Sequence, residues 1–438
     1  SMVFSLVSTP VSAAETGQLT NPPTSTEELS SPESISGNEA ASALNGLSVL
    51  AANGEAEVTT ASELTGALAD SSISRITLKG DIDIGSTLTV NRTVTLDLNG
   101  CVLKMTGSDS VIKVEADGDL TIQDRNTTTQ HKFNPHCKYL TWYIDMWELD
   151  NGGSEIVSGG VITGGGGDQS NGGGVLVAGG TLVMAGGSIV GCSAMSRGGG
   201  VCNNGTFIMS DGMIKGCTSP DGQYASGGGV RNSNQFTMTG GMIGDPDNEN
   251  DASHVYNTSS QETTLTISGN AKIYTDITNV GILNADGGEI AGTMTNDTNR
   301  YGTGTITGSE GAAGSTKFQD KVTNNGTIRK GTFTNEVINE SSGTINGGTF
   351  TGAITNNDGT VLDGDFSGAI LNGMLVITFD PDNRDQSITK KVNWSKDGAA
   401  LTAPDPVPTK EGHSIEGWYY DNNGTETKWN FDTDTVKC

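Results

Sequence analysis

Three stretches decide how this chain folds: Thr181-Leu182-Val183-Met184-Ala185-Gly186-Gly187-Ser188-Ile189, Thr206-Phe207-Ile208-Met209-Ser210-Asp211-Gly212-Met213-Ile214, and Gln235-Phe236-Thr237-Met238-Thr239-Gly240-Gly241-Met242-Ile243. They superimpose residue for residue, at steps of 25 (181 to 206) and 29 (206 to 235). Each follows a Gly-Gly-Gly-Val, at 172–175, 198–201 and 227–230. Ile156-Val157-Ser158-Gly159-Gly160-Val161-Ile162 and Leu265-Thr266-Ile267-Ser268-Gly269 extend the series in both directions. A repeat of this length is the mark of a solenoid, in which each unit buries its apolar side chains only by stacking on a neighbour.

Helices do not suit these units. Their apolar bursts are three to five residues long and lie between glycines, each costing about 1 kcal/mol inside a helix. Short strands joined by turns remain. Stacked about 4.8 Å apart, successive coils pair every backbone group with the coil above and below. The expected fold is therefore all-β: a parallel β-helix over residues 56–370, its corners turned by glycines with positive φ.

Upstream, Arg75-Ile76-Thr77-Leu78, Thr87-Leu88-Thr89-Val90 and Val94-Thr95-Leu96-Asp97-Leu98 alternate with period two and read as strands. Thr60-Ala61-Ser62-Glu63 has capping-box spacing, and Leu64, Ala67 and Leu68 share one helical face, so a short helix should plug the end of the core. Downstream of about residue 281, Gly326-Thr327-Ile328, Gly343-Thr344-Ile345 and Gly359-Thr360-Val361 recur at steps of 17 (326 to 343) and 16 (343 to 359), predicting narrower coils. Ile345, Phe350, Val361 and Phe366 should lie in their core.

Composition bounds the rest. The chain has 438 residues, 63 of them glycine, with 24 basic against 51 acidic side chains and a formal net charge of -27. This balance argues against nucleic acid and anionic membranes as partners, because phosphate binding draws on clustered Lys and Arg. No apolar run approaches the ~20 residues of a membrane span, so no membrane insertion is expected. Residues 2–14, MVFSLVSTPVSAA, resemble the tail of a secretory signal peptide lacking its positive start. Residues 15–55 are too polar to offset the cost of ordering and read as a disordered linker. Cys192 and Cys217 occupy equivalent repeat positions and could approach disulfide distance; the alternative is a pair of buried thiols.

The series GGGV, TFIMSDGMIKG and GTINGGTFTG resembles the right-handed parallel β-helix regions of secreted gut-bacterial surface proteins, which implies a right-handed solenoid here. That resemblance specifies architecture and leaves activity open. Residues 375–438, with Pro408, Lys410, Glu411, Gly412, Gly417, Trp418, Tyr419, Trp429, Phe431 and Asp432, resemble the Listeria-Bacteroides repeat, also called the internalin B-repeat. It implies a small β-grasp-like surface module, truncated here before its usual last strand. His413 replaces an aromatic common in that family.

Parallel β-helices carry both enzymes and adhesins, so chemistry has to be sought in particular residues. A pectate-lyase-like site needs carboxylates to hold Ca²⁺ and a base, often Arg, from neighbouring coils. Between 151 and 370 the only arginines are Arg197, Arg231, Arg300 and Arg329, and none stands in such a pattern. Acids spaced by two occur at Asp81/Asp83, Asp245/Asp247 and Asp363/Asp365; they read as solvated outward side chains, with a glycosidase pair as the sharper alternative. Gly164–Gly167 lacks the Lys-Ser or Lys-Thr of a phosphate loop. One segment departs from repeat composition, residues 126–150, with Phe133, Tyr139, Trp142, Tyr143 and Trp147 beside Asp145, Glu148 and Asp150. These rings either stack on a sugar ligand, with Asp145 and Glu148 binding hydroxyls, or pack back onto the solenoid. His131, His136 and Cys137 match no familiar zinc spacing.

The expected function is adhesion by a secreted or cell-surface monomer. Its partner would be a host glycan, a polysaccharide or a surface protein, bound along an exposed ladder of Thr, Asn, Ser and Asp, with the aromatic segment as anchor. No cofactor is required, and Ca²⁺ enters only with the alternative of a polysaccharide lyase or glycoside hydrolase. A further alternative is a mechanical spacer without ligand. On the binding reading, truncating Trp142 and Trp147 together should weaken binding and leave the melting temperature nearly unchanged.

Overall fold

The computed structural model describes residues 54–138, 145–166, 171–219, 227–248, 251–259, 263–309, 311–366, 368–379, 388–393, 399–403, 417–422 and 425–436. The chain divides into two units, residues 1–46 and 47–438. The signal-like run and nearly all of the proposed linker lie outside the described residues.

From Glu55 the chain coils through three strand ladders in a fixed order. The first ladder begins with Glu55–Val58, Arg75–Leu78, Thr93–Asp97 and Asp119–Gln123, paired in parallel. The second begins with Ile82–Ile84, Val102–Met105 and Val161–Thr163, and the third with Leu88–Val90, Ile112–Val114 and Val175–Val177. In coils such as Thr181–Val190 and Thr206–Lys215 one long strand bends to serve the first and second ladders in turn. These two ladders form a 21-stranded sheet, and the third ladder forms a 13-stranded one. This is a parallel β-helix.

Alternation sorts the side chains. Leu182, Phe207, Phe236, Leu265 and Leu283 succeed one another inside the first ladder, and Ile189, Ile214, Ile243, Ile273 and Ile290 inside the second. Past Ile290 the second ladder switches to Phe318, Phe333, Phe350 and Phe366, whose rings stack at centroid distances of 4.6, 4.8 and 5.1 Å. The first glycine of each Gly-Gly-Gly-Val turns the chain into the third ladder: Gly172, Gly198 and Gly227 have φ of 69, 62 and 62°, a region that penalises any Cβ.

The third ladder holds what alternation alone does not explain. Its inward positions pair an aliphatic residue with asparagine: Val201/Asn203, Val230/Asn232, Val255/Asn257, Ile277/Asn279, Met294/Asn296, Val322/Asn324, Val337/Asn339 and Ile354/Asn356. All eight asparagines are buried. From Asn203 to Asn339, each Nδ2 donates to the Oδ1 of the asparagine one coil further on, at 2.7–2.8 Å. Most spend a second N–H on a turn carbonyl, as Asn257 does on Ile282 O (3.0 Å). A buried amide is costly only when unpaired, and the stack pairs each of them. The expected exposed ladder is thus corrected for these asparagines: they form an internal row.

Coil size can be followed along the row. Consecutive asparagines are separated by 29, 25, 22 and 17 residues from Asn203 to Asn296, then by 28, 15 and 17. The 28-residue coil carries an extra hairpin, Thr298–Asn299 with Gly302–Thr303.

Helix Ala61–Ala69 closes the start of the stack, with Leu64, Ala67 and Leu68 buried and both halves of the Thr60/Glu63 capping box formed. Its last carbonyls, otherwise orphaned, are met by Arg92, which donates to Leu68 O (2.9 Å) and Ala67 O (2.8 Å). At the far end, strand Ile370–Phe379 belongs to two assemblies. Ile370–Gly373 pairs in parallel with Ala353–Asn356, while Met374–Phe379 pairs antiparallel with Ile388–Asn393. The described remainder of the C-terminal module is antiparallel, with hairpin Tyr419–Asn422/Thr425–Lys428 and pairing of Ala399–Ala400 with Thr435–Val436.

Candidate functional site

The aromatic segment leaves the coil at the corner after Asp119–Gln123 and returns at Val161–Thr163. It forms a three-stranded antiparallel sheet, Asp145–Leu149, Gln130–Lys138 and Glu155–Ser158, with the longest strand in the middle. Phe133 and Trp147 point under it, 0% and 2% exposed, into a cluster with Val157 of the same sheet and with Val161 and Val190 of the solenoid flank. The Trp147 backbone N–H donates to Gly216 O (3.3 Å), and a Cβ at Gly216 would overlap the Trp147 ring. Both rings therefore anchor the segment. The expectation that Trp147 can be truncated without loss of stability is revised accordingly. Glu148 is exposed. Tyr139, Trp142 and Tyr143 lie outside the described residues, as do the side chains of Asp145, His136 and Cys137. His131 Nε2 is 3.0 Å from Gly100 O, and among the described residues no group of three or more His, Cys, Asp or Glu could hold a metal.

Beneath the anchor lies a charge cluster absent from the sequence reading. Lys215, the last residue of its strand, is 7% exposed; its Nζ sits 4.3 Å from the centre of the Trp147 ring and 3.3 Å from Asp245 Oδ2. Asp245 is 5% exposed. It belongs to a turn whose next-but-one amide, Asp247 N–H, donates to it (3.1 Å), which corrects its reading as a solvated strand residue; Asp247 itself is exposed. Asp251, also buried, accepts from the N–H groups of Gly216 (3.1 Å) and Ser253 (2.9 Å). Burial holds its carboxyl above the usual range, outweighing those bonds, and the Asp245 charge adds to the effect.

The remaining acids divide plainly. Asp83, Asp363 and Asp365 are exposed, and Asp81 accepts the Val102 N–H (2.8 Å). Buried Asp97 and half-buried Asp124 are spent on the corner between the first two ladders. Asp97 takes Asn99 N–H (3.0 Å) and the Arg125 guanidinium, and Asp124 takes the N–H groups of Gly100 and Gly160, each at 2.7 Å. Acids so engaged hold a turn in which Asn99 and Gly100 have φ of 49 and 75°. Cys192 and Cys217 are free, buried thiols. Their Sγ atoms face Val190 O (3.8 Å) and Lys215 O (3.5 Å), and burial, with Cys192 alongside, pushes the Cys217 thiol well up.

The outward side of the third ladder offers a different surface. Its middle positions run Leu176, Cys202, Arg231, Tyr256, Thr278, Thr295, Thr323, Ile338 and Thr355. The Arg231 guanidinium lies 5.4 Å from the Tyr256 ring centre, and its Nε has no hydrogen-bond partner among the described residues. Across the corner, the first ladder runs Thr264, Ile282, Thr305, Thr327, Thr344 and Thr360. Between the two rows the extra hairpin presents Tyr301, 64% exposed, with the Arg300 guanidinium 4.6 Å from its ring. The only sequence signal for this pair was the long step between repeats.

A β-helix of stacked threonines around an asparagine row, followed by an antiparallel module, defines the class of protein structurally. Comparison with known families agrees with both halves. Residues 55–157 match the pectate lyase-like adhesive domain, and residues 376–437 match the Listeria-Bacteroides repeat domain. No curated protein and no solved structure has significant similarity to the chain. Among the described residues no helix is long and apolar enough to cross a membrane.

Proposed function

We propose that this is an adhesin-like protein of the bacterial cell surface that holds a polysaccharide or host glycan against the corner between the third and first ladders, with the C-terminal module as a spacer. The observation that carries the reading is the pair of threonine-rich rows, both threonine in the coils of Thr295/Thr305, Thr323/Thr327 and Thr355/Thr360, flanked by exposed Tyr301 with Arg300. An extended ligand running along the stack meets threonine hydroxyls from both rows on several coils, so weak contacts add by avidity, and an aromatic ring supplies a stacking platform. The match of residues 55–157 to an adhesive domain supports adhesion, and the match to a repeat known from bacterial surfaces supports the location. Tyr139, Trp142, Tyr143 and Glu148 are a second contact in this proposal.

The test is a glycan panel with the full chain, Arg300→Ala/Tyr301→Ala, and Trp142→Ala/Tyr143→Ala. Binding that falls at least tenfold in either double variant at unchanged melting temperature supports adhesion through that contact. Release of reducing or unsaturated ends from a pectin panel would favour the polysaccharide-degrading alternative, and absence of any ligand the spacer.

A further inference from the structure

Lys and Asp are seldom fully buried, and a buried ion pair has to repay a desolvation penalty of several kcal/mol per ion. Lys215 and Asp245 face that penalty under the Trp147 ring, 30 residues apart in sequence and in consecutive coils. The register Ile214↔Ile243 sets the coils side by side, so both groups project from the same short stretch of the stack. The coils are fixed by backbone pairing, and the amine cannot swing out to solvent past Trp147.

We propose that Lys215 and Asp245 condense to an amide, a covalent staple between consecutive coils. The inference stands apart from the adhesive reading and needs only these side chains. Lys215 Nζ passes one proton to the Asp245 carboxylate, giving an amine and a carboxylic acid. The nitrogen lone pair attacks Asp245 Cγ, the C–N bond forms, and one Cγ–O bond breaks. The departing oxygen leaves as water, so an ammonium and a carboxylate become a secondary amide plus one water, with no oxidant or reductant involved.

Two features favour this over a static ion pair. The condensation removes both buried charges, and fixed juxtaposition of reacting groups is worth effective concentrations of about 10⁵–10⁸ M, enough to draw an amide equilibrium toward product. Asp251 supplies the acid. Its carboxyl is anchored to the N–H of Gly216, the residue after Lys215, and burial with the nearby Asp245 charge raises its affinity for a proton. It gives that proton to the leaving oxygen and recovers one from the nitrogen.

Intact-mass spectrometry of the full chain tests this directly. The expected mass is one water below the sequence mass, with tryptic digestion yielding a branched peptide that joins Lys215 to Asp245 and no cleavage after Lys215. Lys215→Arg, which keeps a cation beneath Trp147, should restore the full sequence mass of that variant. Asp245→Asn should lose ammonia instead of water and converge on the same product. Asp251→Asn should leave a larger unlinked fraction. A wild-type chain at full sequence mass and cleaved after Lys215, or a water loss mapped to another residue, overturns the proposal.

Discussion

Replacing Asn279 by valine tests the asparagine row where it is most connected. Valine fits the site sterically, since Val177 occupies the equivalent position opposite Asn203. What it removes is polar. Asn279 accepts from Asn257 Nδ2 (2.7 Å) and donates to Asn296 Oδ1 (2.8 Å) and Gly281 O (3.2 Å). Three bonds at about 1 kcal/mol net each amount to about 3 kcal/mol, and the neighbours left unpaired in a dry interior raise the loss toward about 5 kcal/mol. Added burial of the valine methyls returns part of it, so the expected destabilisation is about 3 kcal/mol. Urea unfolding followed by circular dichroism measures it, and unchanged slopes would show that the transition remains comparable. A double-mutant cycle sharpens the test: Asn257→Val and Asn279→Val share one bond, so together they should cost about 1 kcal/mol less than their sum. A change within about 0.5 kcal/mol for Asn279→Val, the range of ordinary surface substitutions, would refute the reasoning.

Trp147→Ala should lower stability by about 3–5 kcal/mol, because it empties the cluster with Phe133 and opens Lys215 and Asp245 to water; calorimetry reads this as a marked fall in melting temperature. Asp251 fixes a pH dependence. Burial raises its folded carboxyl above the ordinary aspartate value, so its contribution is fully present below that value and is lost as pH rises through the folded pKa. Asp251→Asn, which keeps an acceptor for Gly216 and Ser253, should be more stable than the parent above that window and equal to it below, as measured by urea midpoints across the pH range.

The solenoid was legible in the sequence because it is written in repetition. Thr206–Ile214 and Gln235–Ile243 differ in detail yet keep every inward position, and backbone pairing between coils does the rest. The terminal helix was legible for a local reason, the Thr60/Glu63 box. The asparagines were misread because one buried amide looks prohibitive on a single strand. Val255-Tyr256-Asn257 did place Asn257 on the inward side by alternation, and only the partner one coil away makes that tolerable. Lys215 and Asp245 were missed for the same kind of reason: burial came from Trp147, brought over by a segment whose docking no period reveals. Tyr301 sits in an insertion that no repeat motif marks, so the sequence reading passed over it.

All amides in the asparagine row point one way, nitrogen toward the next coil and oxygen toward the one before. Aligned dipoles of this kind polarise one another, much as peptide units do along a helix. The interior of the stack is therefore electrically directional, with an oxygen terminus at Asn203, satisfied by the N–H of Gly205 (3.1 Å), and a nitrogen terminus at Asn356, satisfied by the carbonyl of Gly359 (3.0 Å). An extra coil spliced in between would be accepted only if it continued that orientation, which gives the repeat a grammar for being lengthened.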